Sequence, residues 1–300
     1  MSDGIALAGL SVDASSGSLD GNSKAIIMPI VARPSRAQSW HDRPAAASLA
    51  RFVDRWIYVV TAASFIVIAL AGFVPDSLTK IAAVGSAKRP PFPAVMHVHA
   101  VLMASFLLLL LTQTWLAATG RIARHRRLGM LAAVLVPAIV ATGVILVPTI
   151  YHETLHALQT APPGMRAKLQ TILARKENIA LVQLRMGILF PLFLVTALVA
   201  RSRDPSFHKR MILLATVVLL PPAIDRIEWL PSTFPASFVA TECYVLLAIA
   251  PLFVWDVWRS GHVHRAYLVW LAISAPFAVA LHALWDTPWW HATARVMLSA

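Results

Sequence analysis

Histidines that could bind a metal ion or haem are concentrated in a few parts of this chain. Two of them are separated by a single residue, and another two, His152 and His156, are four residues apart. A spacing of four residues places both imidazoles on one helix face, where they can bind the same ion. Imidazole is the commonest protein ligand for transition metals and an axial ligand of haem. We therefore predict a transition-metal or haem site for membrane redox chemistry, built from His97, His99, His152, His156 and His282.

A second group of residues could move protons or bind a charged solute without a cofactor. Arg185 lies about two turns into an apolar stretch, where a charge normally faces a partner or a cavity. Its candidate partners are three acids, Asp225, Glu228 and Glu242, the first two of which are spaced to share a helix face. Two interpretations stay open: an ion pair that holds helices together, and a site in a cofactor-free transporter or proton relay.

The elements that must position these residues are apolar helices. The chain is 58% hydrophobic and 13% charged, with a mean hydropathy of +0.68, whereas soluble domains carry about 25% charged residues. A bilayer requires about 20 apolar residues per helical span. Seven stretches approach this length: 56–74, 94–117, 128–147, 179–200, 211–224, 236–258 and 266–285. The predicted fold class is all-α, a polytopic bundle of seven transmembrane helices.

The distribution of basic residues predicts the orientation of the bundle. With the N-terminus in the cytoplasm, fifteen Lys and Arg residues fall in inner segments and nine fall in the longer outer segments. This bias predicts an N-inside, C-outside protein of the bacterial inner membrane. The predicted histidine site, most of the acids and three tryptophans of an outer aromatic belt (Trp285, Trp289 and Trp290) are then on the outer side.

The remaining segments complete the predicted domain organisation. Residues 1–50 include a Ser-, Gly- and Asp-rich stretch and several arginines, which predicts a disordered cytoplasmic segment that ends beside the membrane. Residues 51–290 form the predicted membrane domain, and 291–300 form a short tail. The one cysteine, Cys243, excludes a disulfide framework and is expected to be buried in the sixth helix.

Composition and motifs exclude several classes of function. The net charge of +12 lies in short loops, so it predicts contact with the lipid bilayer and no binding of nucleic acid. The chain contains no P-loop, dinucleotide fingerprint or HExxH motif. The seventh predicted helix has no lysine for a retinal Schiff base. No motif assigns an enzymatic activity or names a protein partner, and a membrane scaffold is a further alternative.

Two helix turns resemble each other. His125 is followed by Arg-Arg-Leu, and His208 is followed by Lys-Arg-Met, each at the start of an apolar stretch that contains proline. This echo is consistent with an internal duplication of a helix pair, although any basic cytoplasmic turn would produce a similar pattern.

These turns also carry a resemblance to a known group. The His97-x-His99 helix, the HRRLG turn at His125 and the HKRMILLAT turn at His208 resemble a family of uncharacterised bacterial integral membrane proteins. The resemblance covers about residues 95–230. The HRRLG turn is also similar to the DUF2306-like membrane proteins and, more distantly, to the cytochrome b561-like bundles, which bind haem through histidines within their helices. The resemblance implies a helical membrane bundle and assigns no ligand to any particular residue here.

Overall fold

The computed structural model describes residues 44–299, and every regular element within that range is an α-helix. The helices are α1 (Pro44–Gly85), α2 (Ala94–Ala118), α3 (Ile122–Gly129), α4 (Ala132–Thr160), α5 (Pro163–Ala200), α6 (Pro205–Val217), α7 (Pro221–Ile224), α8 (Val239–Ser260), α9 (Arg265–Leu284) and α10 (Pro288–Ser299). The segment predicted to be disordered, 1–50, lies mostly outside the described residues.

Six helical segments of the described chain are long and apolar enough to cross a bilayer: α1 from Ser48, α2, α3 with α4, α5, α8 and α9. This supports an all-helical multi-pass membrane protein. Prolines remain inside most of these helices, for example Pro75 in α1 and Pro191 in α5. Transmembrane helices tolerate them because neighbouring groups satisfy the freed backbone carbonyls.

The fifth predicted stretch, 211–224, differs from the other six. It is divided between α6 and α7, which are separated by a turn at Val218–Leu220, and Pro221 and Pro222 begin α7. Neither short helix could span a bilayer alone. The side chains of α6 nevertheless form the centre of the hydrophobic core, with Met211, Leu213, Leu214 and Val217 fully buried.

Contacts at both ends of this divided segment define its path. Arg210, near the start of α6, contacts Asp256 near the end of α8. Asp225, directly after α7, accepts a hydrogen bond from Thr241 in the first turn of α8. The α6–α7 segment therefore runs antiparallel along most of α8. We refer to the two ends of the bundle as the Asp256 end and the Glu242 end.

Two regions extend beyond the predicted helices. The segment between the predicted stretches 128–147 and 179–200 is helical for most of its length, because α4 continues to Thr160 and α5 begins at Pro163. The predicted tail contributes to α10, whose Trp290, Ala294 and Leu298 are buried in a small core with α5. Of the three tryptophans predicted to form a belt, Trp285 and Trp290 are buried and only Trp289 is exposed.

The expectation that Cys243 is buried is wrong. The buried residues of α8 are Thr241, Val245, Ile249, Leu252 and Asp256, which follow one another at intervals of three or four. Cys243 is two residues from Thr241 and so points about 200° away from that face. Its side chain is exposed on the outside of the bundle.

Candidate functional site

The Glu242 end contains a charged group buried between α5 and α8. Arg185 of α5 has 8% of its surface exposed and forms an ion pair with Glu242 in the first turn of α8. Of the three predicted partners, the structure therefore selects Glu242. The guanidinium also lies 5.8 Å from the centre of the Phe238 ring, and its Nε is buried without a hydrogen-bond partner.

The other two predicted acids are placed differently. Asp225 accepts a hydrogen bond from Thr241, the neighbour of Glu242, so the end of α7 lies beside the Arg185–Glu242 pair. Glu228 is exposed, and no ion pair involving it is formed within the described residues. The predicted charge network thus reduces to Arg185, Glu242 and Asp225, joined through the start of α8.

Close packing holds the end of α7 against α1. A Cβ atom on Gly72 would overlap the backbone carbonyl of Ala223, so only glycine allows α1 and α7 to approach this closely. One turn further along α1, Asp76 pairs with Arg226 at 3.3 Å and with Lys80 at 2.6 Å. The α6–α7 segment is therefore fixed at this end by backbone contact and by charge.

The structure does not gather the five predicted histidines into one group. Four of them, His97, His152, His156 and His282, are exposed on the surface of the bundle. His99 is half-buried between α2 and α4, where its Nδ1 lies 2.9 Å from the Thr142 hydroxyl. Within residues 44–299, no three His, Cys, Asp or Glu side chains are arranged to hold a metal ion.

A polar cluster that the sequence analysis did not identify fastens α10 to α5. The Glu177 carboxylate has 5% of its surface exposed and lies 2.5 Å from His291 Nδ1 and 3.2 Å from Arg295 Nε. It also accepts a hydrogen bond from the Tyr151 hydroxyl at 3.2 Å, while the Trp290 indole donates to the Glu177 carbonyl at 2.8 Å.

The same histidine extends this cluster to the turn after α9. His291 Nε2 lies 3.0 Å from Asp286, and Asn178 donates to the same carboxylate at 3.2 Å. His291 therefore faces a carboxylate from each ring nitrogen, and both nitrogens can donate when the ring is protonated. Hydrogen bonds from His291 and then from Asn178 lower the pKa of the exposed Asp286 carboxyl. These contacts hold α10 in place and leave no free ligand atom on the imidazole.

A third polar group lies at the Asp256 end, and the sequence analysis missed it as well. Arg210 makes two hydrogen bonds of 2.7 Å to the Asp256 carboxylate, and the Tyr267 hydroxyl donates to it at 2.6 Å. Arg210 also donates to the carbonyl of Ser206 at 2.9 Å and to its hydroxyl at 2.6 Å. Both members of the pair are more than nine-tenths buried, with 9% of Arg210 and 6% of Asp256 exposed.

The two similar turns have a similar local geometry. The Nδ1 of His125 lies 3.1 Å from the carbonyl of Gln113, in the last two turns of α2. The Nδ1 of His208 lies 2.8 Å from the carbonyl of Ala197, in the last turn of α5. In each case Nδ1 contacts a carbonyl of the helix that precedes the turn, and this contact fixes the orientation of the ring.

Comparisons with known proteins identify no relative, since no protein-family model, no curated protein and no solved structure matches the chain. The functional conclusion therefore depends on the geometry of the described residues.

Proposed function

We propose that this protein is a cofactor-free membrane transporter or proton relay that acts through the Arg185–Glu242–Asp225 group. The observation that carries the proposal is the divided α6–α7 segment, which runs through the core of the bundle and ends beside these charges. Divided helices that expose backbone groups beside charged residues are typical of solute and ion sites in transporters. Charged residues inside a membrane domain are costly and are usually functional.

The proposal includes a topology of seven crossings. The antiparallel path of α6–α7 along α8 supports counting this segment as a crossing, although it is not one continuous helix. The excess of Lys and Arg in the segments at the Asp256 end supports placing that end in the cytoplasm of a bacterial cell, with the Glu242 end outside. The matching contacts of His125 and His208 support duplication of a helix pair and the proposed relationship to the HRRLG-containing family.

Reconstitution into liposomes tests this function. Valinomycin and potassium compensate the charge that moves with the protons. Under these conditions, liposomes that contain the protein should dissipate a pH gradient faster than protein-free liposomes, either without added solute or when a transported solute is present. Asp225→Asn should slow the dissipation at least about tenfold, because it removes the carboxylate at the end of α7. Asp286→Asn is the matched control, since that carboxylate lies outside the bundle core and should leave the rate unchanged. Rates equal to those of protein-free liposomes with every solute tested would reject the proposal.

The alternative function is binding of a transition metal or haem, and the spacing of one histidine pair supports it. His152 and His156 are both exposed on the extension of α4 and have the spacing of a bidentate imidazole pair. Protein purified without chelator should then contain about one equivalent of metal, or show a Soret band that sharpens on reduction. Substitution of His152 or His156 by alanine should abolish that signal, whereas His125→Ala should leave it. Colourless, metal-free protein would reject this alternative.

A further inference from the structure

The guanidinium of Arg185 has binding capacity that the protein does not use. Arginine carries five N–H donors in a planar fork that suits a carboxylate. Here Nη1 contacts Glu242, while Nε is enclosed without any partner. Buried polar atoms are nearly always hydrogen-bonded, so an unpaired donor on a buried charge marks a place where an acceptor is expected.

The start of α8 adds a second anion-attracting feature at the same place. The residue that precedes α8, Phe238, provides no side-chain cap, although the amide of Ala240 in the first turn donates to the Thr233 hydroxyl at 3.2 Å. The helix dipole favours negative charge at this end of a helix. Because Arg185 lies over the Phe238 ring and contacts Glu242 in the first turn, its guanidinium points at this helix terminus.

The surroundings of the guanidinium favour an organic anion over an inorganic one. The Phe238 ring is fully buried and lies 5.7 Å from the ring of Trp285, which is also buried. An aromatic wall beside a single arginine can accommodate the apolar part of a small carboxylate. The group that the structure places on Arg185, the Glu242 side chain, is itself a carboxylate.

Glu242 is the more accessible member of the pair. Its side chain is 25% exposed, against 10% for Arg185. A solute that approaches from the Glu242 end would therefore meet Glu242 first and would have to displace it to reach the arginine.

We infer that Arg185 and the N-terminal turn of α8 form a binding site for a small organic carboxylate, and that Glu242 occupies this site as an internal competitor. The inference rests on the proposed transport function and names its solute class. Displacing Glu242 exchanges one carboxylate for another, so the buried arginine remains paired in both states.

Equilibrium dialysis of radiolabelled benzoate and acetate against the full-length protein in detergent tests the site directly. Glu242→Gln removes the competitor while keeping the shape of the side chain, so it should bind at least one of the two acids about tenfold more tightly than the wild type. The double variant Arg185→Gln with Glu242→Gln keeps the interface neutral, and should bind at the background level of empty micelles. Arg226→Gln is the matched control, because this arginine lies at the same end but pairs with Asp76; it should bind as the wild type does.

Two results would overturn the inference. One is equal binding by Glu242→Gln and by the double variant, which would show that Arg185 contributes nothing. The other is displacement of bound benzoate by chloride or phosphate at equal concentration, which would identify a general anion site. Because dialysis requires no membrane gradient, binding without transport would reject the proposed function alone, and transport without carboxylate binding would reject this inference alone.

Discussion

Each end of the bundle contains an ion pair between an arginine and a carboxylate, but the two pairs differ in how completely their hydrogen bonds are satisfied. At the Asp256 end, Arg210 and Asp256 make two hydrogen bonds to each other, and Tyr267 and Ser206 contribute further bonds. At the Glu242 end, Arg185 pairs with Glu242 but retains a buried Nε without a partner. A pair enclosed by its own hydrogen bonds stabilises a structure, whereas a pair with an unused donor and a partly exposed acid can exchange partners. This difference is the basis for expecting the Asp256 pair to stabilise the fold and the Glu242 pair to take part in the proposed binding.

The largest expected effect is at the Asp256 end. Arg210→Met leaves the Asp256 carboxylate buried without its cation, which should cost about 3–5 kcal/mol of stability. The measurement is thermal denaturation of the purified protein, together with the yield of folded protein. Combining Arg210→Met with Asp256→Asn should restore much of the loss, because no unpaired charge then remains. A single variant as stable as the wild type would show that this pair does not stabilise the fold.

The next effect concerns the contact between α1 and α7. Gly72→Ala places a methyl group where the Ala223 carbonyl lies, so α7 must shift, and overpacking of this kind typically costs about 1–3 kcal/mol. Gly187→Ala is the matched control, since a Cβ atom there meets nothing within 4 Å. Melting temperatures of the two variants should differ clearly. Equal values would mean that α7 is not fixed against α1.

The pair at the Glu242 end should contribute less than the pair at the Asp256 end. Arg185→Met removes one charged hydrogen bond from a partly exposed acid, which should cost about 2 kcal/mol. Adding Glu242→Gln should recover part of that loss in folded yield. If the loss equals that of Arg210→Met, or if the double variant shows no recovery, the proposed difference between the two ends is wrong.

The smallest effect is a pH dependence at the Asp256 end. His264 begins α9, where its Nδ1 accepts a hydrogen bond of 3.1 Å from the amide of Ala266. Burial lowers the pKa of His264; the charged groups that act on it are Arg210, Asp204, Asp256 and Arg265. The folded protein therefore binds a proton at His264 less readily than the unfolded chain does. The stability that the His264 cap contributes is fully present above about pH 6.5, and it is lost as the pH falls through the lowered pKa of the folded protein.

His264→Asn tests this cap, because asparagine also caps helices but does not titrate in this range. Acidification from pH 7.5 to 5.5 should destabilise the wild type relative to the variant by no more than about 1 kcal/mol, since His264 is only partly buried. Melting temperatures at the two values measure the difference. An identical response of both proteins to pH would show that His264 does not act as a titrating cap.

Hydropathy predicted most membrane helices, but it located the ends of only some of them. The stretches 94–117 and 266–285 match α2 and α9 closely, because a span depends on the composition of one continuous segment. The extensions of α4 and α5 were missed because polar residues continue a helix without any apolar signal. The division of α6 from α7 was missed because 211–224 is apolar throughout, and hydropathy alone does not reveal a break at its two adjacent prolines.

Only part of the charged site could be predicted, because contacts between residues that are far apart in sequence depend on how the helices pack. Arg185 could be singled out because a charge within an apolar stretch is visible in sequence, and Glu242 was among its candidate partners. Arg210 and Asp256 each lie near a helix end, where charges are common, so nothing in the sequence indicated that they are buried together across 46 residues. The register between helices decides such pairs, and composition does not encode it.

One measurement tests most directly whether α6–α7 crosses the membrane. In a Cys243→Ser background, cysteine is introduced at Ser202, before α6, or at Ser232, after α7; both positions are exposed. If the segment crosses, an impermeant maleimide should label Ser232→Cys in intact cells. It should label Ser202→Cys only after permeabilisation. Ser260→Cys, at the end of α8, should behave as Ser202→Cys does. Labelling of the Ser202→Cys and Ser232→Cys proteins from the same side would contradict the crossing and, with it, the proposed transport pathway.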